Sequence, residues 1–356
     1  MIVRFTGTLV LICLLTACSG PGYYLQAISG QWKLMHSRQD IQTLLNSPHT
    51  SPELITHLQA SGQIKEFAES VLGLPADDSY TSYVEVDGRA LVWNVVATPE
   101  FSLQAKNWCF PVAGCVPYRG FFKQQKARDS AESLRKKGMD VYVSPAAAYS
   151  SLGWFEDPLL STMLSGSDIR LAAYLFHELA HQRLYVKGDG AFNEGYASFV
   201  EETGVTIWLE SQQRQDDLLK WKQLQQASAD FAELIVDIRS QLNNLYLSNK
   251  SDDSKRRLKA EIFDSLSISH EQLITGKWGG KRYYDAWFED PPNNARLALY
   301  STYEGSVCAF KRLLDKAHGD LKKFHRLAEQ ISELQKVERE EWLKQTCVSI
   351  APQGNV

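Results

Sequence analysis

The feature that most constrains this chain is the pentapeptide His177-Glu178-Leu179-Ala180-His181. It lies in the run Ile169 to Tyr185, which is rich in alanine and leucine and contains no glycine or proline, so the run is predicted to be helical. Ser167 stands where a helix of this kind takes its N-cap. Residues four apart share one face of a helix, so both imidazoles can reach one ion. The alternative interpretation is a core helix whose two histidines are only hydrogen-bonded.

A second helix, predicted from about Ala191 to Glu210, supplies a carboxylate downstream of the two histidines. Glu194 is the expected third ligand, because the small residues that follow it allow the first helix to approach closely. His177, His181 and Glu194 would then hold one Zn²⁺ ion and leave its fourth tetrahedral position to water. Glu178, adjacent to the first ligand, is the expected general base for that water.

Two further residues of the second helix belong to the predicted site. Glu201 shares a face with Glu194, and it either accepts a hydrogen bond from a metal-bound imidazole or is simply solvated. Asn193 directly precedes the expected ligand and, like Glu201, is expected to support the ligands without binding the metal itself.

The motif H-E-L-A-H-Q at 177–182 and the motif N-E-G-Y-A-S-F-V-E at 193–201 resemble the zinc-binding core of the gluzincin peptidases. Much of the chain is also similar to the bacterial lipoprotein family called putative aminopeptidases. The segments that carry this wider likeness are Trp108–Cys115, Tyr118–Phe122, Ala148–Phe155 and Asn293–Ala295. The resemblance implies that His177, His181 and Glu194 are zinc ligands and that Glu178 is the base.

Aminopeptidase activity on peptide substrates is what the resemblance implies. The segment G-A-M-E-N, by which many zinc aminopeptidases grip the free amine of the substrate, is absent from the sequence. Three alternatives therefore stay open: an endopeptidase or oligopeptidase on the same site, an amidase acting on cell-wall peptides, and a non-catalytic zinc-binding scaffold or chaperone of the cell envelope.

The first residues are expected to be a lipoprotein signal peptide, 1–17. Arg4 precedes an apolar run from Phe5 to Leu15, which is too short to span a bilayer, and the sequence Leu-Thr-Ala-Cys then ends at Cys18. Cleavage before Cys18 and acylation of its thiol would anchor the chain to a membrane. Ser19 follows, which in lipoprotein sorting implies the outer membrane, with the protein facing the periplasm.

The cysteines fit an oxidising compartment. Of the six in the chain, Cys13 leaves with the signal and Cys18 is expected to be acylated. The remaining four are disulfide candidates, and their spacing suits no metal site: Cys109, Cys115, Cys308 and Cys347. A short disulfide could close a turn between the first two, although the sequence does not fix the pairing.

The loop before the zinc helix contains residues that either bind substrate or simply pack. Tyr149, Trp154 and Phe155 would line a side-chain pocket, and Glu156 or Asp157 would attract the ammonium group of the substrate. Farther along the chain, Tyr303 and then Tyr300 are candidates for donating a hydrogen bond to the oxyanion of the tetrahedral intermediate; the alternative is that both are core aromatics.

The fold class expected is α+β, predominantly helical, with a small mixed β-sheet packed against a gluzincin-like two-helix zinc core. Residues 18–356 form a single domain: a helical part at 18–80, the sheet at 81–145, the zinc-binding core at 146–210 and a helical part at 211–356. Asp87-Gly88 predicts a hairpin between strands at 83–86 and 90–97, and 209–247 is expected to be one long helix. The net charge of −4 gives no basis for a nucleic-acid partner.

Overall fold

The computed structural model describes residues 21–75, 78–88, 90–110, 114–146, 156–303 and 307–344, with the backbone alone at Pro21 and 301–303. Cys18, and with it the predicted signal peptide, lies outside these residues. The described chain is predominantly helical with small sheets, and this confirms the α+β class. Within this part of the chain, no helix is both long enough and apolar enough to cross a bilayer.

The helices account for most of the chain. In sequence order they are α1 (Pro21–His36), α2 (Ile41–Leu45), α3 (Pro52–Ser70), α4 (Gln124–Arg135), α5 (Ser161–Leu164), α6 (Asp168–Arg183), α7 (Gly190–Ser211), α8 (Gln215–Leu247), α9 (Asp252–Thr275), α10 (Asn294–Tyr303), α11 (Val307–Lys316), α12 (Leu321–Ser332) and α13 (Lys336–Lys344), with a 3₁₀ turn at Asp285–Phe288.

The strands are short and fall into separate small sheets. They are β1 (Gln39–Asp40), β2 (Ser82–Val84), β3 (Val92–Pro99), β4 (Trp108–Phe110), β5 (Gly114–Val116), β6 (Arg119–Phe121), β7 (Met139–Ala146) and β8 (Leu159–Leu160). β3 lies between β6 and β7 and is antiparallel to both, and α4 makes the crossover from β6 to β7. β2 is antiparallel to β1 and parallel to β8, so this three-stranded sheet, whose strands are the shorter ones, is mixed.

The predicted hairpin around Asp87-Gly88 is wrong. Tyr83 is opposite Gln39 on one side and Leu159 on the other, whereas Trp93 in β3 is opposite Phe121 and Pro145. The two strands belong to different sheets, because their apolar faces pack in different cores. A local turn signal cannot reveal a choice made by distant partners.

One sheet is expected from the sequence to pack against the two-helix core, but the strands of this region are divided among separate sheets. Tyr83 and Val84 of β2 share one hydrophobic core with the buried faces of α6 and α7. Val95 and Ala97 of β3 instead pack with Ala127 in a separate cluster beneath α4. The mixed sheet therefore lies against the helices that carry the site.

The predicted continuous helix at 209–247 is also interrupted. α7 ends at Ser211 and α8 begins at Gln215, with Gln213 in the left-handed region at a φ of 57°. Leu218 and Trp221 at the start of α8 pack in the core of α6 and α7. Beyond this point, α8 and α9 pack around a second, aromatic core that includes Phe231, Trp278 and Tyr284.

One disulfide lies wholly within the described residues. It joins Cys109 in β4 to Cys115 in β5, which are opposite one another in the strand pair, with a Cα–Cα distance of 3.9 Å. Cys308 is also disulfide-bonded. Cys347, the other disulfide candidate, lies outside the described residues.

Candidate metal centre

α6 forms because its sequence supplies an N-cap and a set of apolar residues that are buried in the core. The Ser167 hydroxyl accepts a hydrogen bond from the Arg170 N–H and so caps the first turn. Leu175, Phe176 and Leu179 are completely buried and hold the helix in the core. The helix ends at Arg183, and a short loop then leads into α7.

α7 packs closely against α6. The Asp189 carboxylate caps its start by accepting the Phe192 N–H. Farther along, a Cβ at Gly204 would lie 2.9 Å from the Phe176 ring and 2.8 Å from a Leu72 methyl carbon. Only glycine fits this contact without a shift of the neighbours, so Gly204 helps to set the distance between the two helices.

The three residues predicted as ligands come together between these helices. The Glu194 Oε2 lies 3.4 Å from the His177 Nε2, and the Glu194 Oε1 lies 3.7 Å from the His181 Nε2. One ligand atom from each residue lies within 4.8 Å of the other two. Such a group could hold one metal ion, and its two-imidazole, one-carboxylate chemistry suits Zn²⁺.

The orientation of His177 favours ion binding. Its Nδ1 lies 3.0 Å from the Glu201 Oε2, and the Nε2 on the other side of the ring faces Glu194. In the neutral ring, an Nδ1–H donating to Glu201 would leave the lone pair on Nε2, where a metal ion would bind. Glu201 therefore contacts the imidazole through the nitrogen that a metal ion would not use. Of the two alternatives that the sequence left open for Glu201, this contact corresponds to the hydrogen bond with a ligand imidazole.

Two buried polar atoms at the centre provide a test of whether an ion fits. The Glu194 Oε2 and the His181 Nδ1 are buried and have no hydrogen-bond partner among the described residues. The His177 Nε2 lies 3.4 Å from that carboxylate oxygen without a hydrogen bond, and a divalent cation between Glu194 and the two imidazoles would give the buried oxygen a closer partner. The side chains are therefore compatible with a metal ion.

The protonation of the two histidines is set in opposite directions. Burial lowers the pKa of His177, but the contacts with Glu194 and Glu201 outweigh burial and hold this pKa well above its usual value. Burial and the neighbouring His177 lower the pKa of His181 to about 4. The His177 ring faces the carboxylates of Glu194 and Glu201 and the neutral imidazole of His181. It is therefore protonated and must lose a proton before it can bind a cation.

Asn193 supports the ligand that follows it. Its side-chain amide donates to the Val186 C=O at 2.9 Å, and its Oδ1 accepts the Val186 N–H at 2.8 Å. These two bonds fix the loop between α6 and α7 to the first turn of α7. Asn193 therefore positions the backbone beside Glu194 and does not reach the centre as a ligand.

The sequence-based reasoning missed Tyr185. This residue lies four positions after His181, just past the end of α6, and the centres of the two rings are 6.3 Å apart. Burial and then the Glu194 carboxylate raise the pKa of its hydroxyl, which places the phenol in the field of the site. On the helix predicted as far as Tyr185, its spacing of four from His181 was the signal that could have identified it, although α6 ends at Arg183.

The residues predicted to bind the substrate or the oxyanion are not shown to join the ligand group. Tyr300 packs edge-on against Phe231 in the aromatic core of α8 and α9, with ring centres 5.3 Å apart. Glu156 is exposed, and Asp157 is buried with its backbone bonded to 79–80. Four candidates lie outside the described residues or, for the last, have only the backbone described: Tyr149, Trp154, Phe155 and Tyr303.

Replacing Glu201 by glutamine should weaken zinc binding about 10- to 100-fold, because the partner that orients His177 loses its charge. Isothermal titration of the variant with Zn²⁺ measures this change. Glu210→Gln is the matched control, since Glu210 is exposed on the same helix. Equal zinc affinities in the two variants would show that Glu201 has no part in the site.

Comparison with known proteins gives a family. The family described as "Putative aminopeptidase" matches residues 22–343, which include α6, α7 and the ligand group. Neither the curated proteins nor the solved structures include a match.

Proposed function

Because this chain belongs to the putative aminopeptidase family, we propose that it is a zinc-dependent peptidase whose centre is the group of His177, His181 and Glu194. The observation that supports the proposal is the convergence of these three side chains within 4.8 Å between two packed helices. Glu178 follows the first of them in the sequence, is half-buried, and interacts electrostatically with His177, which supports its role as the general base.

The chain's own residues would carry the proton transfers. A zinc ion held by the three ligands would polarise the scissile carbonyl and lower the pKa of a water molecule. Glu178 would take the proton of the attacking water and deliver it to the leaving amine. Glu201 would keep His177 in the tautomer that leaves Nε2 free, through the hydrogen bond at 3.0 Å.

Aminopeptidase action is the proposed specificity, and it rests on the family. Peptides with a free amino terminus should be hydrolysed, whereas the same peptides carrying an N-acetyl group should not. Cleavage of both at similar rates would identify an endopeptidase on the same site. Activity restricted to branched cell-wall stem peptides would identify an amidase.

The metal requirement is tested by elemental analysis combined with a screen of aminoacyl fluorogenic substrates. We expect about one zinc ion per chain, as a single set of three ligands with an open fourth position predicts. We also expect chelator to abolish hydrolysis and Zn²⁺ to restore it. Glu194→Gln should lose both metal and hydrolysis, and Glu210→Gln should lose neither. Full hydrolysis by metal-stripped protein would contradict the proposal.

For location, we propose that Cys18 is acylated after removal of residues 1–17 and anchors the enzyme to the outer membrane, facing the periplasm. The support is the sequence Leu15-Thr16-Ala17-Cys18 after a short apolar run. The disulfide between Cys109 and Cys115 is consistent with such an oxidising compartment.

A further inference from the structure

The first helix, α1, exposes an apolar stripe. Leu25, Ile28 and Trp32 are 67%, 66% and 63% exposed. Positions i, i+3 and i+7 lie on one side of a helix, so the three side chains form one continuous patch. Single exposed apolar residues are common on protein surfaces, but a row of three large ones indicates a contact surface.

The opposite side of α1 is fixed to the body of the protein. The Gln26 amide group donates to the Gly120 C=O at 3.4 Å and accepts the Phe122 N–H at 3.1 Å. Leu34 is buried in the core of the metal helices. At Gly30 a Cβ would lie 2.1 Å from the Phe122 ring, so the helix lies directly on this side chain. α1 is therefore held in one rotation, and its stripe points away from the protein.

The charge of α1 fits an anionic surface. The segment 21–36 contains no aspartate or glutamate, whereas Lys33 and His36 lie in its last turn and Arg38 follows. The Lys33 side chain is 74% exposed beside the stripe, and its contact with Asp87 at 3.4 Å is equally open to solvent. Basic groups beside an apolar stripe are the pattern of a helix that lies in a membrane interface.

The position of α1 along the chain limits what can cover the stripe. The helix begins at Pro21, three residues after Cys18. Three extended residues span at most about 11 Å. If Cys18 is acylated, as the proposed location requires, its acyl groups enter the bilayer and α1 starts at the depth of the lipid headgroups.

We propose that α1 lies in the plane of the membrane surface and that Leu25, Ile28 and Trp32 enter the boundary between headgroups and acyl chains. This inference rests on the proposed location and not on the metal centre. The lipid anchor alone would leave the enzyme free to tumble on its tether. The docked helix would give it one fixed orientation, because α1 is bound rigidly to the sheet of β3, β6 and β7 through Gly120 and Phe122.

The test places an environment-sensitive fluorophore at a cysteine introduced by Leu25→Cys in the full acylated protein, reconstituted in phosphatidylcholine vesicles with and without phosphatidylglycerol. Leu247→Cys is the matched control, since Leu247 is 76% exposed at the far end of α8. We expect brominated lipid to quench the label at 25 and dissolved iodide to quench the label at 247. Adding Ile28→Gln and Trp32→Gln should make the label at 25 accessible to quenching by iodide.

A label at 25 that is as open to iodide as the label at 247 would overturn the inference. So would a label protected equally in protein without vesicles, because a second copy of the chain would then cover the stripe. Mass spectrometry of the N-terminal peptide reports acylation separately. If Cys18 is unmodified, the proposed location is wrong, and the inference that rests on it is overturned as well. Hydrolysis in detergent tests the metal centre independently.

Discussion

Replacing Glu178 by glutamine is expected to lower kcat on peptide substrates by about a hundredfold to ten-thousandfold, the contribution typical of a positioned general base. Glutamine keeps the shape of the side chain but cannot take a proton from water. His177, His181 and Glu194 are unchanged, so the zinc content should stay at the wild-type level. Steady-state kinetics and elemental analysis of the same preparation measure both quantities.

Glu210→Gln, an exposed change of the same chemistry, should leave kcat unaltered and serves as the control. Wild-type turnover by the Glu178→Gln variant would exclude Glu178 as the base. If that variant also kept its biological activity while hydrolysing nothing, the protein would be a zinc-binding scaffold.

Replacing Arg339 by alanine is expected to lower the free energy of unfolding by about 3–5 kcal/mol, because it leaves a buried carboxylate without its partner. The Arg339 Nε donates to the Asp189 Oδ2 at 2.7 Å, and both side chains are almost fully buried. Arg339 also donates to the C=O groups of Ser332 and Leu334. Denaturant unfolding followed by circular dichroism measures the loss.

Arg282→Ala provides the matched comparison, since Arg282 pairs with Glu271 on the exposed surface. This substitution should lower the free energy of unfolding far less. Similar losses in the two variants would show that burial of the Arg339 pair is without consequence. Because Asp189 caps α7 only five residues before Glu194, the Arg339 variant should also bind zinc more weakly than the Arg282 variant.

The parts of the site carried by local signals could be predicted from the sequence. Ser167, the helical period and the spacing of His177 and His181 are all short-range features, and α6 begins after the predicted cap. α7 likewise runs from Gly190 to Ser211, close to the predicted bounds. The roles of the ligands themselves stay a prediction until a metal ion is measured.

What depended on distant partners could not be predicted. The strand at Ser82–Val84 pairs with segments more than forty positions away on either side, and this outweighs the turn signal at Asp87-Gly88. Arg339 meets Asp189 across 150 positions. No sequence period links such residues, because their contacts are decided by how the helices pack.

The helix α8 belongs to two cores at once. Its first turns, with Leu218 and Trp221, pack in the core of α6 and α7, and from Ala227 onward it packs in the aromatic core of α8 and α9. The helix α8 therefore connects two hydrophobic cores that can unfold separately. The distal parts of α8 and α9 can therefore fray or vary in length without disrupting the core of α6 and α7, provided that the turns around Trp221 stay helical.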